Sequence, residues 1–382
     1  MKLFLAFFLA AATALAPASA SNRLALPNRL RGILQSYLKE RGAAEHITAA
    51  SLSVSLHPGD APLAVAAGTE PSNLFQIGSN TKAFTAVIVL QLEALGKLHI
   101  DNRLGRWLPQ YPAWKNVTIR RLLNMTSGIP TYDNDPNMQT DFAAHPHRNF
   151  SAGELVAYVY PRSGNPTFAP GWTYSNTGYI LSQMIVERIT GRPFGEELRT
   201  KIFAPLGLRD TYYDQHRLAP DVHHRLVAGY FASDDAVNRH LGSLYGKNVR
   251  DYTLSWMQSA GGIVATPADV TRWARHLYSG TLLPAKQQAE LMTLVSNKSG
   301  RPIRATSLSD PHGFGLGVAQ LDKPPLGRIW FYEGETLGYR VLHTWLPTSN
   351  TIVTIALNSQ PREREDKIGE LVSRVAVALK QR

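Results

Sequence analysis

Strand-forming runs crowd both ends of this chain and leave the middle to helices, and that order limits what it can fold into. Near the N-terminus, "ASLSVSLHPGDAPLAVAAG" gives two alternating runs around a His-Pro-Gly-Asp turn, the pattern of a β-hairpin. Near the C-terminus, "RIWFYE", "YRVLHTWL" and "TIVTIAL" are three β-rich runs with short connections. "PNRLRGILQSYLKERG" and "KIGELVSRVAVALKQ" flank these runs as amphipathic helices. Between about residues 111 and 285 the signals are helical and broken by long loops, as in "TIRRLLNM", "GYILSQMIVERITG" and "TPADVTRWARHLYSG". The pattern predicts an α+β fold: an antiparallel sheet built from both termini and flanked by helices, with a mainly helical lobe inserted. The α/β lobe would comprise about 21–110 and 286–382, the helical lobe about 111–285, together one domain over 21–382. The cleft between lobes is then the default site.

The first twenty residues, "MKLFLAFFLAAATALAPASA", combine one lysine, an apolar run and an Ala-Ser-Ala cleavage site, which predicts a secretory signal peptide over 1–20. No later stretch reaches eighteen apolar residues, so no stable membrane insertion is expected after cleavage. The chain has no cysteine, which excludes disulfides, thiol catalysis and Cys-ligated zinc. Export without disulfides fits a bacterial periplasm or the extracellular space. The net charge of +11 is scattered in short pieces such as "NRLRG" and "REREDK", without the basic and aromatic interleaving of a nucleic-acid platform, so no nucleic-acid partner is expected.

Chemistry enters at "QIGSNTKAF", where Ser79 and Lys82 stand three apart between an extended run and a long apolar helix. Serine there is a helix cap or a nucleophile, and S-x-x-K occurs in both roles. The same spacing recurs at Ser36 and Lys39, on the solvated flank of the first helix, where it reads as a surface coincidence. A second cluster is "FAPGWTYSNTGY". There Tyr174, Ser175 and Asn176 follow a Pro-Gly turn and precede a helix, a position from which side chains can face a cleft. A lysine ammonium beside Tyr174 would make its phenol easier to ionise. "DNDPNMQTD" begins like a calcium loop at Asp133, Asp135 and Asn137. It has Met138 in place of the turn glycine and Ala144 in place of the bidentate glutamate, so no metal is assigned. His145/His147 and His223/His224 lack metal-motif spacing and read as surface or packing residues.

Six blocks in order, "QIGSNTKAFTA", "VTIRRLLNMTSGIP", "FAPGWTYSNTGYILSQMIVERITG", "IFAPLGLRDTYY", "SAGGIVATPADVTRWARHLYSG" and "GFGLGV", resemble the serine β-lactamase-like superfamily. The branch they resemble holds class C β-lactamases, D-alanyl-D-alanine carboxypeptidases, D-aminopeptidases and related carboxylesterases. The resemblance implies a β-lactamase/transpeptidase-like fold and cofactor-free acyl transfer. Ser79 would be the acylated nucleophile, Lys82 its base or proton relay, and Tyr174 a general acid or base. Asn176 would bind the substrate's acyl amide, and the backbone amides of Ser79 and Glu335 would form the oxyanion hole. A serine hydroxyl needs such a base, and a lysine serves only if desolvation lowers its pKa.

The third motif departs from the family. Alignment on Gly338 and Tyr339 in "FYEGETLGYR" puts Tyr332, Glu333 and Gly334 where the family has Lys or His, a small residue and Gly. Gly334 would keep the close backbone approach to substrate, Tyr332 and Glu333 would line the edge strand, and recognition of a substrate carboxylate is put in doubt. Arg340 could either clamp that carboxylate or pair with Glu333. The expectation is a secreted serine hydrolase with a small-molecule or peptide substrate, either D-amino-acid peptides such as those of the cell wall or small esters and amides. Its rival is a penicillin-binding or pseudoenzyme-like protein with little turnover.

Overall fold

The computed structural model describes residues 20–161, 166–214 and 218–380, so the expected signal peptide, apart from Ala20, lies outside the described residues. Nine strands form one sheet: β1 Ala50–Ser55, β2 Leu63–Ala67, β3 Leu294–Ser296, β4 Pro302–Ile303, β5 His312–Phe314, β6 Ala319–Lys323, β7 Gly327–Thr336, β8 Tyr339–Leu346 and β9 Thr351–Leu357. Their order is β2-β1-β9-β8-β7-β6-β5-β3-β4, antiparallel throughout. The N-terminal hairpin thus docks on the last strand of the C-terminal meander, as the order of the β-rich runs predicts.

The interior strand β9 is buried along its whole length because both faces of the sheet are covered. Its alternation divides two cores. Val353, Ile355 and Leu357 pack with Leu30, Leu34 and Tyr37 of the Ala20–Glu45 helix and with Leu371 and Val375 of the Ile368–Lys380 helix. Ile352 and Ala356 face the opposite way, toward Trp273 of the Pro267–Ser279 helix and the larger core around the Thr81–Ala94 helix. The Pro267–Ser279 helix therefore packs on the sheet, joined by a hydrogen bond from Thr271 Oγ1 to Thr354 Oγ1. It belongs structurally to the sheet layer, whereas the sequence division near residue 285 assigns it to the helical lobe.

One detail of register creates the site. β6 pairs only with Gly327–Phe331, so beyond that point the edge of β7 has no strand neighbour. The turn Gly78–Asn80, which leads into the Thr81–Ala94 helix, packs against that free edge.

Candidate active site

Asn80 stitches the turn to the sheet. It is fully buried, donates to the carbonyls of Ile77 at 2.8 Å and Val341 at 2.7 Å, and its Oδ1 meets His343 Nδ1 at 2.6 Å. Burial pushes His343 down to about 3, so the ring is neutral and serves as scaffold. Gly334 is required by the same junction: a Cβ there would fall 2.0 Å from the Ile77 carbonyl oxygen and 2.6 Å from Asn80 Nδ2. Its close approach is to the Ser79 turn, where the sequence reading gave it to substrate. Gly78, at φ +52°, lies against Glu335, where a Cβ would fall 2.5 Å from the carbonyl oxygen and 2.8 Å from the nitrogen. The backbones of Ser79 and Glu335 are thereby neighbours across the cleft edge, as an oxyanion hole needs.

Ser79, Lys82 and Tyr174 converge. Lys82 Nζ donates to Ser79 Oγ at 2.9 Å and to the Ala260 carbonyl at 2.7 Å, and Ser79 Oγ lies 2.5 Å from Tyr174 Oη. Lys82 is fully buried, with its ammonium over the Tyr174 and Tyr179 rings at 4.9 and 5.4 Å. Burial lowers its pKa to about 7, while the nearby Asp133 carboxylate pulls the other way. Tyr174 moves opposite to the sequence expectation. Burial raises its pKa, outweighing the lowering effect of its Ser79 hydrogen bond, and the Asp133 carboxylate pushes the same way as burial. Ser36 and Lys39 are exposed on the first helix and far from this chemistry.

The cavity in front of Ser79, about 370 Å³, is walled by Asp133, Asn176, Glu333 and Glu335 on one hand and by Val237, Leu241, Trp256, Met257 and Leu337 on the other. Among the described residues that line it, none is Lys, Arg or His. A larger cavity of about 520 Å³ lies by His147, His223 and Arg250. There His223 Nε2 pairs with Asp251 at 2.8 Å and His147 Nδ1 meets the Asp251 carbonyl at 3.1 Å, a packing role.

Several sequence assignments are corrected. Arg340 neither lines the cleft nor forms an ion pair with Glu333. It is fully buried, bound to Glu45 Oε2 at 2.9 Å, Asp366 Oδ1 at 2.5 Å and the Ser359 carbonyl at 2.9 Å. Tyr332 is buried against Phe314 instead of facing substrate. Its hydroxyl makes no direct hydrogen bond, yet lies close enough to Tyr174 to favour that residue's ionised form. Glu333 does line the cleft, but burial, together with Asp366 and Glu335, pushes its pKa well up. Asn176 lines the cleft, with one Nδ2 hydrogen donated to Asp133 Oδ2 at 2.8 Å and its Oδ1 without a partner.

Asp133 is the residue the sequence reading passed over. Its carboxylate accepts from Thr131 Oγ1 and Asn176 Nδ2 at the cleft wall, whereas Asp135 turns away to cap the Pro136–Ala144 helix, accepting from the Asn137 and Met138 amides. A signal for it existed only in hindsight, since it depends on a contact between residues 133 and 176.

Fold and constellation together are those of a serine hydrolase. The chain belongs to the Beta-lactamase family, which matches residues 33–377. It is 27% identical over 301 residues to penicillin-binding protein 4* of Bacillus subtilis, covering 78% of this chain and 63% of that protein. It is 24% identical over 290 residues to teichoic acid D-alanine hydrolase of Staphylococcus aureus, covering 75% and 62%. The chain thus spans less than two thirds of the length of these two relatives. Among solved structures, D-stereospecific amidohydrolase from Streptomyces sp. aligns with a TM-score of 0.73 and 28% identity over 86% of this chain and 94% of that one. D-amino acid amidase from Ochrobactrum anthropi SV3, complexed with D-phenylalanine, shares the fold with a TM-score of 0.76 at 24% identity, over 94% and 99%.

Proposed function

We propose that this chain is a secreted serine hydrolase that forms an acyl-enzyme on Ser79 and acts on small amides or esters of D-amino acids carrying a free ammonium. The observation that carries the substrate class is the wall of the cleft: three acidic side chains and no cation. A free carboxylate finds no cationic partner among the described residues there. An ammonium finds the Asp133 carboxylate and the unpartnered Asn176 Oδ1. The relatives' printed names, a D-stereospecific amidohydrolase and a teichoic acid D-alanine hydrolase, support a D-aminoacyl substrate, including one derived from the cell wall.

The chemistry follows from the distances. With a pKa of about 7, Lys82 is substantially neutral near neutral pH and takes the Ser79 proton as Oγ attacks the carbonyl carbon. The tetrahedral oxyanion lies between the amides of Ser79 and Glu335. Tyr174, kept protonated by burial, donates its proton to the departing amine or alkoxide; in the second half-reaction it regains a proton from the attacking water, and Lys82 returns its proton to Ser79 Oγ as that oxygen leaves the acyl carbon. Water then enters by the reverse route, releasing the acid and restoring Ser79.

The test compares kcat/KM for a D-aminoacyl amide with that for its N-acetyl derivative and for an acyl-D-Ala-D-Ala peptide. The free ammonium is expected to be preferred by about tenfold or more, the worth of one charge-assisted contact. Preference for the N-acetyl or free-acid substrate refutes the assignment. A stoichiometric burst with no further turnover would support the penicillin-binding reading instead.

A further inference from the structure

A buried hydroxyl with nothing to bind costs stability, and the strand beside Ser79 carries one. Side chains of β7 alternate between the faces of the sheet. Gly334 turns its bare Cα toward Ile77 and Asn80, so Tyr332, two residues earlier, stands on the same Ser79 side. The residues opposite on β8 agree, since His343 meets Asn80 and Val341 joins the larger core. Tyr332 is 5% exposed, and its Oη has no hydrogen-bond partner among the described residues. Its ring lies edge-on to Phe314 at 5.8 Å, and Trp172 packs on Phe314 at 5.7 Å and on Tyr174 at 6.5 Å, so Tyr332 and Tyr174 share one aromatic wall. An unpaired buried phenol at such a place needs an explanation.

The neighbours supply one. Two phenols lie close enough to act on the charge of Tyr332, those of Tyr174 and Tyr179. Tyr179 gives its hydrogen to the Leu123 carbonyl at 2.7 Å and takes no part in the reaction. The need of Tyr174 changes as the reaction runs. At rest its Oη shares one proton with Ser79 Oγ at 2.5 Å. Once it has protonated the leaving group it is a phenolate, and it stays one until the attacking water returns a proton. A buried phenolate demands donors that the neutral phenol does not. Burial and the Tyr174 charge raise the pKa of Tyr332 well above the ordinary phenol value, so Tyr332 keeps its hydrogen and can only be the donor.

We propose that Tyr332 Oη donates a hydrogen bond to the Tyr174 phenolate that forms as the leaving group departs, and holds that charge through the life of the acyl-enzyme. The Lys82 ammonium, which by then carries the Ser79 proton and lies 4.9 Å from the centre of the Tyr174 ring, balances it from another side. The O–H bond of Tyr174 breaks and an N–H or O–H bond forms on the leaving group, while Tyr332 loses no proton. Tyr332 is thus a positioning residue that acts only through Tyr174. The inference rests on the reading of Ser79 as the acylated nucleophile and does not depend on the D-aminoacyl assignment.

The experiment uses Tyr332→Phe in the full chain, which removes one oxygen and keeps the ring. kcat/KM is measured for parent and variant on para-nitrophenyl, phenyl and ethyl acetate, in order of rising leaving-group basicity, and on D-phenylalanine amide. A nitrophenolate leaves without a proton, whereas ethoxide and an amide nitrogen must each receive one from Tyr174. The variant is expected to lose about tenfold or more on ethyl acetate and on the amide and about twofold at most on the nitrophenyl ester, with phenyl acetate between them. All four substrates are read on the same enzyme stock, so partial misfolding cannot move the ratios. The thermal midpoint should stay or rise, because the hydroxyl has no partner in the resting enzyme. An equal loss on every substrate, or a lowered midpoint, would make the Tyr332 hydroxyl a structural group and overturn the proposal. A parent that hydrolyses the acetates but not D-phenylalanine amide refutes the substrate class, and the acetate series alone then decides the role of Tyr332. A parent that hydrolyses none of the four refutes the Ser79 reading and this inference with it.

Discussion

Replacing Lys82 by methionine should abolish activity and yet stabilise the protein near neutral pH. Lys82 is fully buried, and its pKa falls from 10.5 to about 7, chiefly through desolvation. That depression corresponds to about 5 kcal/mol against the folded state wherever the lysine is protonated in both the folded and the unfolded chain. The sign is the reverse of a lysine that gains a partner on folding. Between pH 7 and 10.5 the unfolded chain binds more protons than the folded one, so the cost is full below pH 7 and shrinks by about 1.4 kcal/mol per pH unit above it. Methionine keeps most of the apolar stem but leaves the Ala260 carbonyl without its donor, which costs about 1–3 kcal/mol. The balance is a gain of roughly 2–4 kcal/mol at pH 7 and a loss of about 1 kcal/mol near pH 10. Urea unfolding of parent and variant at pH 7, 8.5 and 10 reads the difference, in which groups common to both cancel. A difference that does not change with pH would show that Lys82 titrates at the same pH folded and unfolded, and the base assignment would lose its physical footing.

In the parent, kcat/KM should rise with pH through a limb near pH 7, about tenfold per unit below it, as Lys82 loses its proton. Asp133→Asn should move that limb to lower pH, because Asp133 raises the Lys82 pKa, and should also erase the preference for ammonium-bearing substrates; a limb that stays in place contradicts the coupling. Gly334→Ala should cost several kcal/mol of stability and most of the activity, since its Cβ would meet the Ile77 carbonyl at 2.0 Å; a thermal midpoint within a degree of the parent refutes the close approach. Arg340→Met should destabilise by about 3–5 kcal/mol by leaving Glu45 and Asp366 uncompensated. Its active-site titre should still track folded protein, and a selective loss of substrate carboxylate binding would restore Arg340 to the cleft.

What the sequence disclosed and what it hid divide along a physical line. Ser79 with Lys82, and Tyr174 with Asn176, sit within single local segments whose spacing and flanking elements carry the signal. The hairpin at the N-terminus and the meander at the C-terminus were legible for the same reason, and the strict alternation of β9 divides the two cores as the period of a strand requires. The residues misread all depend on distant partners. Arg340 looks like a cleft residue beside Gly338, but its carboxylates come from Glu45 at the end of the first helix and Asp366 before the last one. Asp133 looks like a failed calcium ligand until Asn176 is folded against it. Tyr174 was expected to ionise easily beside a cation, but burial decides the direction for both groups, lowering the lysine and raising the phenol. The Pro267–Ser279 helix has the amphipathic pattern of its helical neighbours, and only the tertiary contact with the sheet shows where it belongs.

The central claim is that Ser79 becomes acylated and is then freed by hydrolysis. Intact-protein mass spectrometry after rapid acid quench of the parent with a D-phenylalanine ester should show one added D-phenylalanyl group, which peptide mapping places on Ser79 and which disappears as substrate is exhausted. Ser79→Ala should show none, while Ser36→Ala should acylate like the parent. An acyl group on another residue, or steady turnover by Ser79→Ala within tenfold of the parent, would contradict the account.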